Sequence, residues 1–178
     1  MQHGHMEQVG YDMYCKLLDE VVKEMKGIEI EEEKDVQIDI NVSSFIPDEF
    51  IEDSSQKIEI YQNIALCRSE DDIRDVIDEI IDRYGRMPKE IENLIDVARI
   101  KNLAREVGVI KILQKQDNIV FYFDANSFNM DIVDVLIKKY KNKIKFSPSH
   151  EPYITYKVSN QSNILDEIKD FLKIQGQE

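Results

Sequence analysis

Glycine and cysteine are scarce in this chain, and that scarcity excludes more chemistry than any motif admits. Only six glycines occur in 178 residues. Gly4 and Gly176 lie near the termini and Gly10 lies inside a helical pattern, while Gly27, Gly85 and Gly108 each stand where a helical pattern stops. None is left to build a phosphate-cradling loop, and neither GxxxxGK followed by Ser or Thr nor GxGxxG occurs. The chain alone is therefore expected to bind no nucleotide through such a loop and to hydrolyse no ATP. The two cysteines, Cys15 and Cys67, each fall in a helical stretch. A secreted disulfide scaffold carries more cysteines in a shorter chain, so both are read as reduced thiols of a cytoplasmic protein. Of three histidines, two sit in the opening MQHGHM, whose residues 1–6 read as a tag remnant. That leaves His150 as the one imidazole base, too little to support a nucleophilic cysteine. No apolar run approaches the ~18 residues of a membrane span.

Basic residues are also in the minority. Lys and Arg number 23 against 36 Asp and Glu, for a net charge of −13. Residues 29–53 hold ten acids and one base, Lys34, whereas residues 109–178 hold ten bases and nine acids. The acidity belongs to segments rather than to the whole chain. Binding to a nucleic-acid backbone needs a basic footprint, so duplex DNA is expected to be held negligibly at physiological salt. The acidic run EIEEEKD lacks the alternating carboxylates and glycine turn of a calcium loop and reads as a solvated loop.

Periodicity then divides the chain. Val9, Met13, Leu17, Val21 and Met25 make a helical stripe over 7–26. Val36, Ile38, Ile40 and Val42 alternate with polar residues, which predicts a half-buried strand over 36–42. An extended passage around Pro47 follows, then a helix over 56–67 capped by Ser54 or Ser55. Ser69 with Asp72 resembles a capping box for the next helix, which Gly85 ends. Pro88 suits the first turn of a third helix running to Val107. From 109 the order is β-β-α-β-β-α. The chain is thus expected to be α+β, with a mainly helical N-terminal half (7–108, including the strand) packed on a small β-β-α-β-β-α half (109–178) as one compact domain.

Two helices joined by the tight turn DRYGRMP outline a DNA-reading pair. A recognition helix needs Arg, Lys, Asn or Gln near its start, and this one begins PKEIENLID, with Glu90, Glu92 and Asp96 against Lys89. Those acids suit a helix N-terminus and repel phosphate, so the turn is read as architectural. The one basic cluster, Lys138, Lys139, Lys141, Lys143 and Lys145, crosses a helix end, where lysines are favourable for the dipole alone. Its alternative role is an accessory contact to nucleic acid.

Three stretches, VGYDMYCKLLDEVVKEMKG, IDINVSSFIPDEFIEDSSQKIEIYQNIA and RSEDDIRDVIDEIIDRYGRMPKEIENLIDVARIK, resemble the C-terminal domain of the bacterial transcription-repair coupling factors (Mfd). The IPD segment and the DRYG-x-x-P turn are the most specific parts. The resemblance implies a non-catalytic interaction domain of a DNA-translocating parent. It would dock on the parent's N-terminal UvrA-binding module and mask it, with UvrA and RNA polymerase as indirect partners. DNA would be held by the parent's motor modules and not by this domain, and no membrane is involved. No catalytic residue, cofactor or metal is expected. The family motif names no contact residues, so charge and exposure nominate Phe45, Asp48, Glu49, Phe50, Glu52 and Asp53 for the interdomain contact.

Overall fold

A computed structural model of the chain describes residues 35–174. The helix predicted over 7–26 and the acidic run from 29 to 34 lie outside them. The fold is mixed α+β, with five helices and a five-stranded sheet among the described residues. Two compact units are distinguished, one holding Val42–Ala98 and the other combining the segment that ends at Asn41 with Arg99 onward.

The helical unit contains α1 (Ser54–Ala65), α2 (Glu70–Tyr84) and the first half of α3 (Lys89–Val107). The cap of α1 is Asp53, whose carboxylate accepts from Gln56 N at 2.9 Å. Neither Ser54 nor Ser55 caps it; both are already helical, because a carboxylate one residue earlier reaches the open amide. Ser69 caps α2 as its sequence predicts, accepting from Asp72 N at 3.1 Å. The Asp72 carboxylate reaches back to Arg68 N at 3.0 Å rather than to the cap residue. Gly85 closes α2 at φ +89, a backbone conformation that side chains rarely adopt. The core is aliphatic, built on Ile46, Ile51, Ile60, Ile64, Ile73, Ile80, Ile91 and Leu94. Cys67 lies within it. Burial first, and the Asp72 carboxylate next, push this thiol up to about 11, so it packs rather than reacts.

The sheet unit contains β1 (Gln37–Asp39), β2 (Val109–Lys115), β3 (Asn118–Phe123), β4 (Ile144–Ser147) and β5 (Tyr153–Lys157), with α4 (Met130–Tyr140) and α5 (Ile164–Leu172). The strand order is β1-β2-β3-β5-β4. β1 is shorter than the alternation over 36–42 predicts. It runs parallel to β2, pairing Gln37 with Lys111 and Asp39 with Leu113, while the other neighbours are antiparallel. A parallel partner needs a long crossover, so the strand that precedes the helices in sequence belongs to the sheet that follows them. One sheet face is closed by rings. Phe121 stacks on Phe171 of α5 at 3.9 Å between centroids, and Tyr156 meets Tyr140 of α4 at 5.2 Å.

The register also sets the opposite face. Lys111, Tyr122, Tyr153 and Ser147 form one row across β2, β3, β5 and β4, and Leu113, Val120, Thr155 and Lys145 form the next. Of these eight only Val120 is buried.

Candidate interaction site

Pro47 holds the chain extended at Ile46, and two buried isoleucines fix the segment around it. Ile46 and Ile51, 1% and 2% exposed, plug into the helical core. The Pro47 carbonyl accepts from Phe50 N at 3.1 Å and Ile51 N at 3.2 Å, closing a turn. Ile46 N donates to the Tyr61 hydroxyl at 2.9 Å. With both ends anchored, Phe45, Asp48, Glu49 and Phe50 are held on the outside.

The connection between α2 and α3 faces them. Gly85 breaks α2, and the Pro88 carbonyl receives Ile91 N at 3.1 Å and Glu92 N at 3.2 Å to start α3. Arg86, Met87, Pro88, Lys89 and Glu90 join Phe45, Pro47, Asp48, Glu49 and Phe50 around one open groove of ≈ 760 Å³. Phe50 leans on Tyr84 with ring centroids 5.9 Å apart. The groove is thus lined by two apolar rings, two prolines and charges of both signs.

Four of the six nominated residues are brought together here, and two are not. Glu52 and Asp53 do not line the groove, and Asp53 is committed to capping α1. Asp48 is ion-paired with Lys57. The pattern-based reading missed Arg86, Met87, Lys89 and Glu90. The DRYG-x-x-P turn in the sequence is the signal that points to them.

Among the described residues, no group of three or more His, Cys, Asp or Glu is placed to hold a metal ion. No described helix is long and apolar enough to cross a membrane. All five members of the lysine cluster are exposed. Lys139 Nζ is 3.2 Å from Asp170 and Lys143 Nζ donates to Ser159 Oγ, while Lys145 lies on β4.

Residues 40–135 match the family model described as the TRCF domain. The chain belongs to the transcription-repair-coupling factor family. The factor of Staphylococcus epidermidis is 37% identical over 120 residues, covering 66% of this chain and 10% of that protein. The factor of Rickettsia prowazekii is 30% identical over 173 residues, covering 96% of this chain and 15% of its own length. The chain therefore spans only a tenth to a seventh of the curated relatives it matches. In fold it is similar to a solved C-terminal domain of a transcription-repair coupling factor. The TM-score is 0.71 at 21% identity, covering 81% of this chain and 96% of that one. Family membership bears directly on the groove, because both of its walls lie inside the matched residues.

Proposed function

We propose that this domain is a non-catalytic docking module of a transcription-repair coupling factor. It folds back onto the N-terminal module of its own full-length protein and masks the surface that binds the repair protein UvrA. UvrA and RNA polymerase are then indirect partners, and DNA translocation belongs to motor modules outside this chain.

One observation carries the reading: Pro47 and Asp48 of the IPD segment and Arg86, Met87 and Pro88 at the end of the DRYG-x-x-P turn line one groove. Binding residues are disproportionately carried on loops that a rigid scaffold positions, as both of these turns are. Residues 42–98 carry fifteen acids against six bases, so the surface they cover is basic. The contact combines Phe45 and Phe50 as apolar anchors with Asp48 and Glu49 as rim charges.

The test is calorimetric titration of this chain with the N-terminal module supplied in trans. Glu49→Lys reads the contact more cleanly than Asp48→Lys, because Asp48 is already engaged by Lys57. It should weaken docking by roughly 1–3 kcal/mol if Glu49 faces a basic partner. In the full-length factor the same change should raise affinity for UvrA. Docking and UvrA affinity both unchanged in that variant would place the contact elsewhere.

A further inference from the structure

On the sheet face away from α4 and α5, two half-buried tyrosines stand among lysines. Tyr122 and Tyr153 lie side by side on β3 and β5, with ring centroids 5.3 Å apart. Lys111 Nζ stands over the Tyr122 ring, 4.3 Å from its centroid, and so occupies one face of that ring. Lys115, Lys145 and Lys157 stand exposed at alternate strand positions that share this face. Asp39 is the one acid in the same strand rows. In a protein of net charge −13, four lysines framing two tyrosines form a local exception.

We propose that this face is a binding platform for single-stranded DNA. Unstacked bases lie on the Tyr153 ring and on what Lys111 leaves uncovered of Tyr122, and the lysines follow the phosphates. Aromatic side chains on an open, positively charged surface are the general means of holding single strands without reading sequence. A duplex keeps its bases stacked inside and cannot offer their faces to the rings, so the weak duplex binding expected from net charge still holds. An acidic peptide would satisfy the lysines but leave the tyrosine pair without a partner. The platform uses none of the groove residues, so it stands or falls independently of the docking function.

Fluorescence anisotropy of a labelled oligothymidylate, titrated with the 178-residue chain at about 0.05 M salt, tests it. If four lysines meet phosphates, the logarithm of affinity should fall with the logarithm of salt at a slope of roughly −3. Replacing Lys115 and Lys157 together by Gln should reduce that slope by about 1.4. Tyr153→Ala should weaken binding at least about fivefold, and Tyr153→Phe should restore it because stacking needs the ring and not the hydroxyl. The lysine pair is exposed, so it keeps the test decisive even if Tyr153→Ala fails to fold. Four results would each overturn the proposal. They are no binding at ~50 μM chain, where even non-specific contacts of this class register; an unchanged salt slope in the Lys115, Lys157 variant; equal competition by polyglutamate per charge; and loss of binding on replacing Lys138 and Lys141 instead. Preferential binding of oligouridylate would overturn the assignment to DNA.

Discussion

The helical unit and the sheet unit close their interiors with different side chains, and the choice determines how each responds to its surroundings. Ile46, Ile60, Ile64, Ile80, Ile91 and Leu94 fill the helical core with branched aliphatic groups that need no polar partner. The sheet unit closes on Phe121, Phe171, Tyr140 and Tyr156, and the two tyrosines bring hydroxyls with them. Each hydroxyl is answered by a carboxylate: Tyr140 donates to Asp170 at 2.8 Å and Tyr156 to Glu167 at 2.7 Å. Glu167 also accepts from the backbone amides of Ser159 at 2.9 Å and Asn160 at 3.1 Å. An aliphatic core is indifferent to pH, whereas an aromatic core with phenols is tied to the ionisation of its acceptors.

The largest test of this contrast is Phe171→Ala, which removes the ring at the centre of the sheet unit's stack. It should cost about 3–5 kcal/mol, against about 0.5–1.5 kcal/mol for Ile80→Val in the helical core. Urea unfolding at constant slope measures both. Equal losses would mean that the rings are no more concentrated a support than the isoleucines.

Glu167→Gln sharpens the contrast further. Burial works against the Glu167 carboxylate, but the bonds from Tyr156, Ser159 and Asn160 outweigh it and hold its pKa below the ordinary 4.5. Asp170 is held below 3.8 in the same way, with burial opposed by Tyr140 and Lys139. A depressed carboxylate contributes stability that is present above the unfolded value and lost as pH falls through the folded one. The chain should therefore weaken as pH drops below about 4.5, with sheet signals such as tyrosine near-ultraviolet dichroism failing first. Glu167→Gln should lower stability at neutral pH by about 1–3 kcal/mol and flatten the acid limb. An acid limb as steep as in the parent would assign the titration to other carboxylates.

Ser69→Ala is the smallest change of the three. It leaves Asp72 N without its cap at the start of α2 and should cost about 1 kcal/mol. Hydrogen exchange in the first turn of α2 reports it locally. Unchanged protection there would show that the Asp72–Arg68 bond holds the turn without the serine.

Much of the fold was legible in the sequence because local chemistry decides it. Gly85, Pro88, Ser69 and Asn129 each mark a helix end whose amides or dihedrals leave few options. The pairing of β1 was not legible, since alternation over 36–42 says which residues point inward and nothing about the neighbouring strand. The groove was half legible. Phe45, Asp48, Glu49 and Phe50 stand out by type and by their place around Pro47. Their facing wall at 86–90 becomes visible only when two turns far apart in sequence share the same core.

The parallel pairing of Gln37 with Lys111 has a temporal consequence. A nascent chain emits β1 long before its partner, with α1, α2 and most of α3 made in between. At about 5–20 residues per second the wait is roughly 4–15 s. Residues 42–98 are all made within that interval and can fold while β1 is still without a neighbour. Synthesis thus sets an order of assembly that the finished sheet does not record: the helices mature inside an open bracket, and β2 closes it.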